Sequence, residues 1–261
     1  MENSLLLVFS GVAGAVWGSF IASLADRICE KGPLFKMRSF CFSCGHSLPA
    51  WHLVPVFSYI FLRGQCAFCG GRIALRIFLS EILGAFGVIL ALFVAENFKD
   101  FALLSAFSLT LLFLSLVDLR LKAVPSPALW LAFFLATALK FDPNELLHLL
   151  IFEHFKEGFL RDALLFAGFV FLLKSLLQSL KNLKNKSLED NLGDGDIIIL
   201  SALSGLFGLK FAFLTLFFAS LIALPFFFWM RQKGQKELAF LPLIHAAFSL
   251  QLLLLALKGG A

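Results

Sequence analysis

Charge is scarce in this chain. Asp, Glu, Lys and Arg make up 15% of it, against about 25% in ordinary soluble domains. With 60% hydrophobic residues and a mean hydropathy of +0.91, a water-soluble fold of this length is excluded, because no soluble core could hide so much apolar surface. Tyrosine is nearly missing, with one residue against 34 Phe, so the aromatic bulk serves lipid contact and helix packing. The apolar runs do not alternate with polar residues, which excludes the strands of a membrane barrel. No Gly-x-Gly-x-x-Gly follows a strand pattern, so no Rossmann module is present. The first apolar stretch, Leu5 to Ala25, has no basic leading region and runs directly into Asp26 and Arg27. It is expected to stay as a span and not to be cleaved as a signal. The net charge of +5 is spread along loops, so it reports membrane orientation and not nucleic-acid binding.

What is present is a series of apolar segments: 5–25, 77–95, 101–117, 127–141, 159–177, 196–209, 211–230 and 241–257. A helix crosses a hydrocarbon core with roughly 17–25 residues, and a backbone in lipid must satisfy its own hydrogen bonds. The expected fold is therefore all-α and polytopic, with about eight transmembrane helices. Its expected parts are a first span (1–25), a four-cysteine domain (26–76) and a membrane core (77–261). An outside amino terminus puts sixteen of the 22 basic residues inside and leaves Lys99, Lys140, Lys156, Arg161, Lys210 and Lys258 outside. The positive-inside rule favours that orientation, and it brings Asp118, the segment around Asp196 and the cysteine loop to the cytoplasmic side. Phe141 to Gly158 reads as an outside loop, Lys181 to Asn191 as a solvated inside loop, and no internal repeat is apparent.

The loop carries Cys41-Phe-Ser-Cys44 and Cys66-Ala-Phe-Cys69. Two Cys-x-x-Cys knuckles about twenty residues apart suit a tetrahedral thiolate site, since each tight turn offers two sulfurs. Gly45 and Gly70 follow the knuckles and suit those turns. A zinc ion would stabilise a loop with few apolar residues of its own. The alternative is a pair of disulfides, which a cytoplasmic placement disfavours. Cys29 is a spare, expected to be buried, and His46 and His52 are expected to be ordinary surface histidines.

Ionisable residues at span ends are either interface anchors or functional groups. Asp118 closes LLFLSLVD, beside Arg120 and Lys122, and would be unremarkable alone. Asp196 follows Gly193-Asp194-Gly195 and leads into IIILSALSGLFG, which puts a carboxylate at the first turn of an apolar helix. A helix-cap role explains one such aspartate, but not its occurrence opposite a second span-end aspartate. Two carboxylates sharing a site keep one proton between them. The anion can take a proton from water while the neutral acid polarises a carbonyl, which is peptide hydrolysis without a covalent intermediate. Asp194 ranks below Asp196 because it points differently on a helix, and Asp26 ranks lower still.

These motifs together resemble the bacterial type IV prepilin peptidases, Gly-x-Gly-Asp membrane aspartic proteases. The resemblance runs over nearly the whole chain: Gly18-Ser19-Phe20 with Arg27, the four knuckle cysteines, Pro55 to Tyr59, Arg63-Gly64, Arg72 and Glu81, Asp118 with Pro125, Gly193-x-Gly195-Asp196, and Phe240-Leu-Pro242. The chain departs from the family at Ala22, where many members carry Asn, and at Ile198, where a Lys is frequent. Ser126 replaces an acidic residue, and the closing motif keeps Pro242 without its second proline and glycine. None of these touches the two aspartates or the four cysteines.

The resemblance implies a multi-pass enzyme of the bacterial inner membrane with Asp118 and Asp196 as its catalytic pair. It would cut the leader of pilin or pseudopilin precursors on the cytoplasmic side after a glycine, in type IV pilus assembly or protein secretion. It also implies N-methylation of the new amino terminus with S-adenosylmethionine, for which no residue is assigned. Zinc at Cys41, Cys44, Cys66 and Cys69 completes the expectation. The alternatives are a Gly-x-Gly-Asp intramembrane protease with other substrates, or a zinc-loop transporter or assembly protein.

Overall fold

The computed structural model describes residues 2–30, 39–41, 43–140, 158–182, 193–234 and 238–259. Among these, nine α-helices and one short 3-10 helix form, and no strand does. The helices are α1 (Glu2–Cys29), α2 (Phe57–Phe61), α3 (Leu75–Val94), α4 (Phe98–Leu121) and α5 (Ser126–Lys140). After them come α6 (Phe159–Asn182), α7 (Asp194–Phe207), α8 (Leu209–Gln232) and α9 (Leu241–Gly259). The eight longer helices stand where the eight apolar segments predict them. Five of them, α1, α3, α4, α8 and α9, are long and apolar enough to cross a membrane, and α5 is a shorter apolar helix. The outside loop expected at Phe141 to Gly158 lies, through residue 157, outside the described residues. So does most of the inside loop expected from Lys181, since α6 runs on to Asn182 and the description resumes at Gly193.

Several helices run past the hydrophobic limits read from the sequence, because their polar ends find partners. The first helix continues through Asp26 to Cys29. Its Asp26 carboxylate is buried, with Arg76 Nε and Nη2 donating to it at 2.9 and 3.1 Å and Arg120 Nη1 at 2.8 Å. At the start of α4, Asn97 caps the helix by accepting from the Asp100 N–H at 2.9 Å, as a good N-cap does. At its end Lys122 takes a left-handed conformation (φ 50°) and its N–H donates to the Asp118 carbonyl. Pro125 then separates α4 from α5.

Packing between helices follows the small residues, as it must where lipid supplies no hydrophobic drive for association. A Cβ on Gly14 would stand 2.5 Å from the Gly84 carbonyl oxygen, and one on Gly18 would meet the Ser80 carbonyl oxygen. The α1–α3 crossing is therefore backbone against backbone, and it is the most extensive among the described residues. Gly205 admits the Phe159 ring in the same way between α7 and α6. Helix α7 has 14 residues, about 21 Å at the α-helical rise, which is shorter than a hydrocarbon core. It is wrapped by α5, α6 and α8, and Ile199, Leu200, Ala202, Leu203 and Ser204 are fully buried. A helix end that stops short of the boundary is tolerated because protein surrounds it.

Asp26 is the tie between α1, α3 and α4. Replacing it with Ala leaves two guanidinium groups facing an apolar gap. The variant should lose about 2–4 kcal/mol, less than a fully dry ion pair because both arginines keep part of their hydration. Thermal unfolding in detergent measures this, and a melting profile equal to the parent's would show that the clamp carries no stability.

Candidate active site and metal centre

Asp118 stands one turn before the end of α4 and Asp196 in the first turn of α7, and each is 9% exposed. The link between them is a packed junction. A Cβ on Gly195 would touch Val124 at 3.1 Å and Leu129 at 3.3 Å, so the start of α7 lies directly against the α4–α5 turn and the start of α5. Any side chain at 195 would push that contact apart. Asp196 lies in the electrostatic field of Asp118 and of Lys174. Its carboxylate folds back over Gly193, where a Cβ would come within 3.3 Å of Oδ2. Asp194 behaves differently: its side chain is 87% exposed and accepts from Lys174 Nζ at 2.8 Å. The two neighbouring aspartates thus point apart, one inward and one to the surface.

Asp118 is held by a partner that no side-chain motif announces. The Leu241 backbone N–H donates to Asp118 Oδ2 at 3.2 Å. Leu241 opens α9, and the Phe240 carbonyl accepts the first helical bonds from Leu243 and Ile244. A free N–H at a helix N-terminus attracts an anion, and Pro242 beside it has no N–H to compete. The Phe240-Leu-Pro242 segment, found in the sequence through resemblance alone, therefore has a position in the site. Arg120, two residues past Asp118, fixes this end of α4 to Asp26 and also reaches Glu30 at 3.4 Å. Arg76 and Arg120 count as loop charges in the sidedness argument; in the fold they are ion-pair partners, and the signal for that was Asp26 itself, an acid at the end of a span.

The cysteine loop forms a second centre at the same end of α1 and α3. The sulfurs of Cys41, Cys44, Cys66 and Cys69 all lie within 4.8 Å of one another, and the Cys41 and Cys69 sulfurs are 3.9 Å apart. Four thiolates on one tetrahedral ion at about 2.3 Å would stand roughly 3.8 Å apart, whereas a disulfide needs about 2.05 Å. All five cysteines are free, so the disulfide alternative is not what the fold contains. The two knuckles have the same hydrogen bonds at matching positions. Cys41 and Cys66 donate to the carbonyls of His46 and Gly71, and Gly45 and Gly70 donate back to Cys41 and Cys66. Leu48 and Ile73 close the turns onto Ser39 and Gly64. The sequence shows no repeat because only the cysteines and the glycines after them persist; both glycines take positive φ, 69° and 67°.

Backbone N–H groups of Cys44 and Ser43 hold the Cys41 thiol down at about 6, aided by Cys66 and Cys44. The Gly71 N–H pulls on Cys69 in the same direction, but the sulfurs of Cys44, Cys66 and Cys41 outweigh it and push Cys69 up to about 11. Four thiols this crowded cannot all ionise without a cation among them. The donor set therefore fits a metal ion. His46 and His52 stand outside it, packing instead on Phe68 with ring centroids at 3.9 and 5.8 Å. Cys29 packs half-buried against the membrane core.

Glu81, found through resemblance alone, is buried in α3 and accepts from Ser19 Oγ and from the Val56 N–H, each at 2.7 Å. It joins the cysteine loop to the α1–α3 crossing. A separate cavity of about 510 Å³ lies between α1, α3, α4 and α5, lined mainly by apolar groups such as Trp17, Phe20, Val88, Leu109, Phe113 and Leu131. No charged side chain lines it, so it does not fit a zwitterionic cofactor such as S-adenosylmethionine.

The chain was also compared with known proteins by sequence and by structure. Residues 12–95 match the model of the bacterial peptidase A24 N-terminal domain. A prepilin leader peptidase/N-methyltransferase of Dichelobacter nodosus is 34% identical, over 42% of this chain and 42% of its own length. One from Burkholderia pseudomallei is 34% identical over 50% of this chain and 52% of its own, and one from Vibrio cholerae is 24% identical over 88% of each. The chain thus spans about half the length of the first of these relatives, and most of the last. No solved structure matches. By the family model over residues 12–95 and by these relatives, this polytopic chain with its four-cysteine cluster is similar to the bacterial prepilin leader peptidase/N-methyltransferases.

Proposed function

We propose that this chain is an inner-membrane aspartic endopeptidase that removes the leader of pilin or pseudopilin precursors, cutting after a glycine at the cytoplasmic face. The observation that carries the proposal is the pair of buried carboxylates, Asp118 and Asp196, brought to one end of the bundle by the Gly195 contact with Val124 and Leu129. Two carboxylates that share a site keep one proton between them. The ionised one accepts a proton from water as the water oxygen bonds to the scissile carbonyl carbon. The protonated one donates to the carbonyl oxygen. As the tetrahedral intermediate collapses, the C–N bond breaks and the amine leaves with a proton from the dyad. The Leu241 N–H holds Asp118 while this happens. Asp194, exposed and paired with Lys174, takes no part. A transporter reading leaves the thiol cluster without a role.

Zinc is the ion proposed for Cys41, Cys44, Cys66 and Cys69, on the all-sulfur donor set and the near-tetrahedral spacing. It would be structural, because four protein ligands leave no open position for substrate. Methyl transfer from S-adenosylmethionine to the new amino terminus is the second proposed activity; it rests on the names of the relatives, and no side chain is assigned to it.

Three measurements follow. Purified protein in detergent should cleave a pilin-type precursor, and Asp118→Ala and Asp196→Ala should each lower the rate by at least about a thousandfold, with Asp194→Ala near the parent. Full cleavage by either of the first two variants would sink the assignment. Metal analysis of reduced protein should find about one zinc per chain, lost when Cys41 and Cys66 are both changed to Ser; a chain without metal would return the cluster to free thiols. With a methyl-labelled S-adenosylmethionine, label should appear on the cleaved product and not on uncleaved precursor. Cleaved product without label would leave the chain a peptidase alone.

A further inference from the structure

The stretch between the two knuckles has an unusual surface. Its 3-10 helix (Ala50–Leu53) and α2 bury none of their own side chains. Trp51 and Phe61 are 71% and 82% exposed, and Leu53, Val54, Phe57 and Ile60 face outward with them. In a loop surrounded by water this would be a large uncovered apolar patch, which soluble surfaces avoid.

Its position explains it. The Val56 N–H donates to Glu81, which sits almost two turns inside α3, about 9 Å along the helix from its start. The Tyr59 ring stacks on Phe78 of the same helix, centroids 4.7 Å apart and planes 22° from parallel. The segment is therefore pinned beside the first two turns of a helix apolar enough to span a membrane. The outward side chains there, Leu75, Leu79, Ile82 and Leu83, are exposed as well, so the patch continues the lipid-facing surface of α3. The chain bends sharply to get there. Val56 has φ 66° and ψ −52°, and the Phe57 N–H closes onto the Pro55 carbonyl at 2.7 Å. That is a γ-turn of the strained kind, at a β-branched residue, held by the Glu81 bond. Arg63 and Arg72, which follow the apolar stretch in the chain, are exposed, and basic side chains flanking an apolar group favour lipid phosphates. Tryptophan is the residue that membrane interfaces favour.

From this placement we infer that residues 50–61 lie in the membrane interface, with Trp51, Phe57, Ile60 and Phe61 among the lipid chains just below the headgroups. The cysteine centre is then moored to the bilayer on both sides: by α1 and α3 at its ends and by this wedge in its middle. The inference rests on the helices being membrane spans and is independent of the peptidase reading.

The test uses the full chain in liposomes, with Trp17, Trp130 and Trp229 changed to Phe so that Trp51 alone reports. Lipids brominated near the headgroup end of the acyl chain should quench Trp51 more strongly than lipids brominated near the chain end. Iodide should quench it several-fold less than it quenches N-acetyltryptophanamide. Phe57→Asp with Phe61→Asp should abolish the lipid quenching while the metal content stays unchanged. In the unmodified chain, a lipid-soluble diazirine reagent should label the 50–61 peptide, which covers the case in which the Trp replacements fail to fold. Free iodide access without lipid quenching would overturn the inference. So would shielding that appears only with added precursor protein, which would make the patch a protein-docking site, or only at high protein concentration, which would make it a contact between copies. Cleavage is not a readout, so a chain inactive on precursor but quenched by lipid would refute the peptidase reading alone.

Discussion

The buried Asp26 carboxylate is the interaction on which this end of the molecule depends. A charge near the membrane boundary is tolerated when it is paired and hydrogen-bonded, and Asp26 has two guanidinium partners from two other helices. The three charges together fix where α1, α3 and α4 end relative to one another. Everything proposed for function hangs from those ends. Asp118 is two residues before Arg120; Glu81 is five residues after Arg76; the cysteine loop leaves from α1 and returns into α3.

A second constraint is the close approach of backbones. Gly14, Gly18 and Gly84 bring α1 and α3 into contact without side chains between them, which places Ser19 and Glu81 within hydrogen-bond reach. Gly195 does the same for the start of α7 against the α4–α5 turn. Polar contacts at this end of the bundle therefore depend on glycines that carry no chemistry themselves. In the interior, the Gln251 side chain joins Thr215 between α9 and α8, a hydrogen bond that holds two spans together by pairing groups that lipid would leave unsatisfied.

Much of this was legible in the sequence, for reasons that differ from residue to residue. The eight apolar segments were visible because a lipid-facing helix needs length and hydrophobicity and little else. The knuckles were visible because four sulfurs on one ion require that spacing. Asp196 showed itself through the two glycines that precede it. What stayed hidden depends on contacts between distant parts of the chain. The Leu241 N–H is a backbone donor, so no side chain marks it. Arg76 and Arg120 look like ordinary inside-loop charges until Asp26 is seen between them. The matched hydrogen bonds of the two knuckles survive almost complete change of sequence. The outward-facing Trp51 and Phe61 read as loop residues because nothing local reveals that Val56 is tied to α3.

The shortness of α7 bears on how hydrolysis could take place in a site built from apolar helices. A spanning helix that began at the membrane surface would put its first-turn aspartate in bulk solvent. A helix that began at mid-membrane would seal it from water altogether. At about 21 Å, α7 can start below the surface while its other end stays buried among α5, α6 and α8. Gly193 and Asp194 at its start are exposed, and Asp196 two residues on is not. Solvent thus reaches to within about one turn of the carboxylate and stops there. On the other side, the Asp118 carboxylate is screened by the first turn of α9. In the proposed peptidase, a peptide entering from the aqueous face would meet Asp118 and Asp196 at the last point where water and apolar packing are both available, which is the condition an aspartic mechanism would require of a membrane-embedded site.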